Sequence, residues 1–169
     1  MAKLYSYVGP AEIKARIGHA SGTPISSIPD LFAWFADTGQ RADHRGLVGT
    51  TFVIDAAGVL RIAERRSEHI ACAGGGPVLS AGEMFFLIDG DRGAVAEVSN
   101  QSTGYCPEAE SWPSVATALD CIGIDHPGRF TEPVIFRRCI DCGERNIVKD
   151  GWYMCAVCGE VLPGEWNLA

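Results

Sequence analysis

Four cysteines near the C-terminus constrain this chain more than any other feature: Cys139-Ile-Asp-Cys142, a gap of twelve residues, then Cys155-Ala-Val-Cys158. Two residues between paired thiols let the backbone turn tightly enough for both sulfurs to face one ion. Gly143 and Gly159 follow the two pairs, and glycine accepts the positive φ that such a knuckle needs. Between the pairs, Lys149-Asp150-Gly151 reads as the turn of a hairpin joining two short strands. Four sulfur ligands in tetrahedral array select zinc over magnesium or calcium, with a rubredoxin-like iron site as the alternative. A shell closed by four cysteines leaves no position for water, so the ion is expected to be structural. Residues 139–169 therefore read as a zinc ribbon.

At 169 residues the chain can hold one domain with a real core plus this small metal-stabilised appendage. Its net charge of −7 disfavours a protein whose main task is gripping nucleic acid, because phosphate contacts need a basic stripe. Only Arg61/Arg65/Arg66 and Arg137/Arg138 form dense basic groups, and each reads as a solvated face. The ribbon is itself acidic, with Asp141, Glu144, Asp150, Glu160 and Glu165 against Arg145 and Lys149. No apolar run approaches the ~18 residues that span a bilayer, and no apolar stretch near the N-terminus reads as a secretory leader. A cytoplasmic location is the expectation. In that reducing compartment Cys72, Cys106 and Cys121 are spare thiols.

Period and punctuation give an α+β fold. The first forty-five residues read as mostly helical: Pro10 opens one helix over AEIKARI, SGTPISSIP is a linker, and Ser27 caps a second. In that second helix Leu31, Trp34 and Phe35 recur at buried-face spacing, and Gly39 stops it. Val48–Ile54 and Val59–Ala63 alternate as a hairpin around Asp55-Ala56-Ala57-Gly58. A second hairpin joins Glu83–Ile88 to Ala94–Ser99 through an Asp-Gly turn. A helix over Ser111–Ile122 has Ser111 as cap and Gly123 as stop, and PVIFRR (133–138) is a last strand feeding into Cys139. The expected whole is N-terminal helices, a small antiparallel sheet, one helix and the ribbon, with an α+β domain over 1–138 on which the ribbon docks.

The most unusual stretch outside the ribbon is Glu68-His69-Ile-Ala-Cys72-Ala-Gly74-Gly75-Gly76-Pro-Val-Leu-Ser80-Ala81-Gly82-Glu83, followed after a hairpin by Ser99-Asn100-Gln101-Ser102-Thr103-Gly104-Tyr105-Cys106-Pro107. Three consecutive glycines argue against regular structure and permit close approach of a ligand or a backbone. The order His, Gly-Gly, Ala-Gly, then Ser-x-x-Tyr-x-Pro resembles a module of plant calmodulin-binding IQ-motif proteins and of uncharacterised microbial proteins. His69, Gly75-Gly76, Ala81-Gly82, Ser102, Tyr105 and Pro107 match it by position. The module's Ser-Ser pair is Ile70-Ala71 here, and its closing His is Gly104. No IQ motif occurs, so the resemblance implies a shared fold and a shared pocket over about forty residues, not calmodulin binding.

Two functional classes follow. The preferred reading is a non-catalytic adaptor that recognises a protein partner or small ligand through the loop at Gly74, Gly75, Gly76 and Ser102, with the ribbon as a second surface. The enzymatic alternative groups His69, Tyr105 and Cys106 in one pocket, with Glu68 or Asn100 orienting the imidazole and His126 as a competing base. A thiol beside an imidazole becomes a nucleophilic thiolate. Nucleic-acid binding through the ribbon is a third reading, opposed by charge.

Overall fold

A computed structural model describes residues 1–169. The strongest strand signals form its centre. Strands β1 (Thr23–Ile25), β2 (Leu47–Asp55), β3 (Leu60–Glu64), β4 (Val78–Asp89) and β5 (Arg92–Val98) make one antiparallel sheet in the order β1-β3-β2-β4-β5. The β2–β3 turn is closed by the Asp55 carboxylate, which accepts from the amides of Ala57 at 2.9 Å and Val59 at 3.0 Å. Both expected hairpins are present, and β4 starts earlier than Glu83.

Alternation along the strands sends side chains to two different cores. On one face Phe52, Ile54, Ile62, Met84 and Phe86 pack under α2 (Ile28–Thr38) and α4 (Trp112–Ile122). The helices contribute Leu31 and Trp34, and Val115, Leu119 and Ile122. The Ser27 hydroxyl accepts from the Asp30 amide and Gly39 ends α2 at φ 61, as its sequence predicts. On the opposite face Val53, Ala63, Val78 and Ala81 lie under Tyr5, Tyr105 and a single-turn helix α3 (His69–Ala73), which brings Ile70 and Cys72. A fully buried aliphatic or aromatic side chain contributes about 1.5–3 kcal/mol.

Several elements differ from expectation. The N-terminal third is less helical. Only Ala11–Ala15 (α1) and α2 are helices there, because the Tyr5 backbone pairs with Val78 and holds the first residues extended. The linker SGTPISSIP contains β1, whose Ile25 is buried, and proline is tolerated because β1 is an edge strand. The stretch before the glycines is α3, not irregular chain, and Gly74 ends it. Ser111 does not cap α4. A 3₁₀ turn (Ala109–Ser111) precedes that helix, and the Ser111 hydroxyl donates to Glu108 O while lying 2.9 Å from Ser80 Oγ. The strand within PVIFRR, β6 (Ile135–Arg138), does not extend the central sheet. It pairs only with β7 (Arg145–Val148), in a separate two-stranded sheet that belongs to the ribbon.

Candidate metal centre

The two Cys-x-x-Cys segments fold as copies of one another. Cys139 N–H donates to Glu144 O at 2.8 Å and Gly143 N–H returns to Cys139 O at 3.0 Å; Cys155, Glu160 and Gly159 repeat both bonds at the same distances. Each return bond requires a left-handed residue at the glycine, and both have φ 77. Facing knuckles bring the Cys139 and Cys158 sulfurs to 3.5 Å, and the Cys142 and Cys155 sulfurs to 3.5 Å. All four ligand atoms lie within 4.8 Å of one another. A tetrahedron of Zn–S bonds near 2.3 Å has edges of about 3.8 Å, so the donor set is already shaped for such an ion.

Amide donors surround the sulfurs. The Cys158 backbone, then the Val157 amide and the Asn146 side-chain amide, hold the Cys155 thiol below its ordinary range, at about 6. Asn146 Nδ2 lies 3.4 Å from Cys155 Sγ, and its Oδ1 accepts from the Ala156 amide at 2.9 Å. Asn146 thus links β7 to the second knuckle and orients a ligand, as outer-shell groups do around metals. The Lys149-Asp150-Gly151 turn forms as expected, with Trp152 N–H donating to Lys149 O. Beyond it only isolated bridges, Lys149–Trp152 and Met154–Val161, replace the expected second strand.

Side-chain amides brace the ribbon, one across its joint with the sheet domain and one within it. Fully buried Asn100 donates to Pro107 O and Val134 O, both at 2.8 Å, and accepts from Val134 N–H at 2.7 Å. Asn167 makes the same two-way pair with Arg138 N–H and O, at 2.8 Å each. The C-terminal segment then crosses back to the domain. Trp166 Nε1 donates to Cys106 O at 2.8 Å, and its ring takes the Lys3 ammonium 3.5 Å from the centroid. Lys3 also pairs with Glu108 at 2.6 Å. Arg137 donates to Phe136, Pro163 and Gly164 carbonyls, and Arg145 to Thr103 O. These arginines tie backbone together and do not form a free basic face. Arg61 is likewise committed, to Asp55 and Gly22 O.

His69, Tyr105 and Cys106 each face a backbone carbonyl. His69 Nε2–H donates to Gly82 O at 2.9 Å, and burial pushes the imidazole pKa down. The Tyr105 hydroxyl donates to Gly76 O at 2.7 Å, and burial raises its pKa. Cys106 Sγ faces Thr103 O at 3.4 Å, and burial lifts the thiol to about 11 despite nearby Arg145. No hydrogen bond joins any two of His69, Tyr105 and Cys106. Asn100 serves the ribbon joint and makes no bond to His69. His126 bonds Asp120 at 3.0 Å, apart from all of them. Cys72 is buried and lifted to about 12, while Cys121 is exposed.

The glycine-rich segment closes on itself. Gly76 O is filled by Tyr105, and Ala20 presses against the site of a Gly74 β-carbon. Ser102 is buried with its hydroxyl unpaired, and its carbonyl accepts from Cys106 N–H at 2.7 Å. Clefts of about 380 and 440 Å³ instead follow the seam between ribbon and domain, lined by Glu108, Arg137 and Trp166 in one and Gln101 and Lys149 in the other. Gly74–Gly76 line neither. Asn146 and Asn167 carry no sequence signal, and Asn100, expected beside the imidazole, instead holds Pro107 and Val134; an asparagine bonded far along the chain has no local signature. No helix is long and apolar enough to cross a membrane. Comparison with known protein families, curated proteins and solved structures finds no match to this chain.

Proposed function

We propose that this chain is a non-catalytic adaptor whose ribbon is set by one structural zinc ion and presents a fixed surface to a protein partner. The observation that carries the reading is the convergence of four cysteine sulfurs within 4.8 Å of one another. Cys139, Cys142, Cys155 and Cys158 would hold the ion as thiolates. A closed four-sulfur shell supplies folding free energy, on the order of 10 kcal/mol, and offers no site for water or substrate. The chain's part is to aim the sulfurs, through Asn146 and the paired knuckle amides, and to fasten the ribbon through Asn100, Asn167 and Trp166.

Support for the non-catalytic reading comes from the thiols and the histidine. A nucleophilic cysteine needs a lowered pKa and a base within reach. Cys72 and Cys106 are raised to about 12 and 11, and His69 spends its Nε2 proton on Gly82 O. In this reading the residues shared with the plant and microbial module are a folding signature, with His69 locked to Gly82 and Tyr105 to Gly76. The glycines and Ser102 then shape the backbone and contact no ligand. The acidic balance and the closed shell fit a cytoplasmic protein that meets another protein.

The test is metal analysis of the purified full chain. One zinc per chain, absent from Cys142→Ser, is the expected result. A visible thiolate-to-iron absorption band with one iron per chain would replace zinc by iron. No retained metal after expression in zinc-supplemented medium refutes the site.

A further inference from the structure

We infer that the outward face of the ribbon, centred on Trp152 and Val161, docks a protein segment that carries apolar side chains flanked by lysine or arginine. This rests on the adaptor reading and names the surface it would use.

The ribbon has few apolar side chains, and its own core is only Cys139, Val148, Cys155 and Leu162. Yet it turns Trp152 (71% exposed), Ile140 (76%), Val157 (69%) and Val161 (66%) to solvent. Less than a fifth of the chain thus holds four of its eight exposed large apolar residues. Single exposed apolar residues need no explanation, but a concentration of them marks an interaction surface.

Pairing places Trp152 and Val161 together. Met154 and Val161 form an antiparallel bridge, so their side chains share a face. Trp152, two residues before Met154, points the same way and sits diagonally across from Val161, at a spacing of about 7–8 Å. The alternate position, Leu162, is buried, and Tyr153 packs against the ribbon core beneath Arg137. Ile140 and Val157 each adjoin a ligand cysteine, Cys139 and Cys158, whose sulfurs are 3.5 Å apart. The two knuckle tips are therefore neighbours.

Charge selects the occupant. Asp141 follows Ile140, Asp150 precedes Trp152 by two residues, and Glu160 precedes Val161; all three are exposed. Of the ribbon's basic side chains, Arg137 is held by Pro163 and Gly164 carbonyls, Arg138 by Gly143 O and Arg145 by Thr103 O, so Lys149 alone is unbonded beside these carboxylates. A second copy of this chain would bring like charge to like, and a nucleic acid would do so more strongly. A basic rim around an apolar centre is complementary. The amide bolts at Asn100 and Asn167 hold the face rigid before binding, which lowers the ordering cost of association.

The experiment selects binders for the metal-loaded full chain from a displayed library of random peptides. Enriched sequences should pair Leu, Ile, Val or aromatic residues with Lys or Arg. The Trp152→Ser variant should bind the selected peptides at least about tenfold more weakly, and Leu87→Ser, on the central sheet, should not. Trp152 is exposed, so retention of one metal ion per chain verifies that the variant folds. Peptides that bind Trp152→Ser unchanged overturn the docking face while leaving the adaptor reading intact. Enrichment of acidic sequences, or self-association lost with Trp152, also overturns it. If no peptide is enriched at all, both readings fall.

Discussion

A β-carbon at Gly82 would sit 1.9 Å from the Ser99 carbonyl oxygen and 3.1 Å from Asn100 Cα, in the middle of β4. Backbone cannot yield as a flexible side chain can, so Gly82→Ala should destabilise the protein by about 3 kcal/mol, read as a lowered urea midpoint. The same residue's carbonyl accepts from His69 Nε2–H, and burial of that imidazole makes stability pH-dependent. Burial holds the folded imidazole below its usual value, so the unfolded chain binds the proton first. The stability this contributes is present above about pH 6.5 and is lost as pH falls through the folded value. Urea midpoints should decline from pH 7.5 to 5.5 more steeply for the native chain than for His69→Gln, whose amide still donates but does not titrate. Equal slopes would count against the buried neutral histidine. Thiol labelling reads the same physics. With Cys72 and Cys106 raised by burial and four cysteines on metal, Ellman's reagent at pH 8 should find one fast thiol, Cys121, rising to six after chelation, because Cys106 is covered by the ribbon residues Phe136 and Leu168.

The outer edge of β6 is an unpaired strand edge, which ordinarily invites another strand to add. This chain blunts it with side chains that imitate a partner strand. Asn100 takes Val134 N–H and O, Asn167 takes Arg138 N–H and O, and Arg137 fills Phe136 O between them. Asn167→Ala should cost about 1–2 kcal/mol of local stability and raise amide exchange at Arg138 by tenfold or more, with β2 and β4 unchanged. Uniform exchange increases across the sheet would show a different role. The physical reason this joint was hidden in the sequence is distance: Asn100 and Val134 are 34 residues apart, Asn167 and Arg138 are 29. Local signals were legible. Cys-x-x-Cys-Gly, the Asp55–Gly58 turn, and Ser27 with Gly39 around α2 each act within a few residues, and each forms. PVIFRR was legible as a strand but not as a ribbon strand, since β-propensity does not name the neighbour. The glycines masked α3, whose single turn is held by packing of Ile70 and Cys72 and not by propensity.

Removal of the metal separates what the whole molecule owes to the ribbon from what the sheet domain holds alone. The larger core, seventeen buried residues between the sheet, α2 and α4, includes nothing after Phe130 and should survive chelation. The ribbon's four-residue core includes two of its own ligands, so without metal it has almost nothing left to pack. The seam is shared: Cys106 buries against Phe136 and Leu168, with Val8 and Trp166 around them, so an opened ribbon uncovers part of the domain. A strong chelator should therefore abolish amide protection over residues 135–168 while β2 and β4 stay protected. It should also release Lys3 from Trp166, changing tryptophan emission. Exposure of the seam should lower the melting temperature of the remaining domain by about 4 °C, the effect of roughly 1 kcal/mol in a domain of this size. Loss of all protection would make the metal the keystone of one cooperative unit. Ribbon amides that stay protected without metal would mean that the Asn100 and Asn167 bolts suffice. Between those limits, the staged loss follows from a metal that builds the ribbon and from a seam that fastens it to a domain already folded.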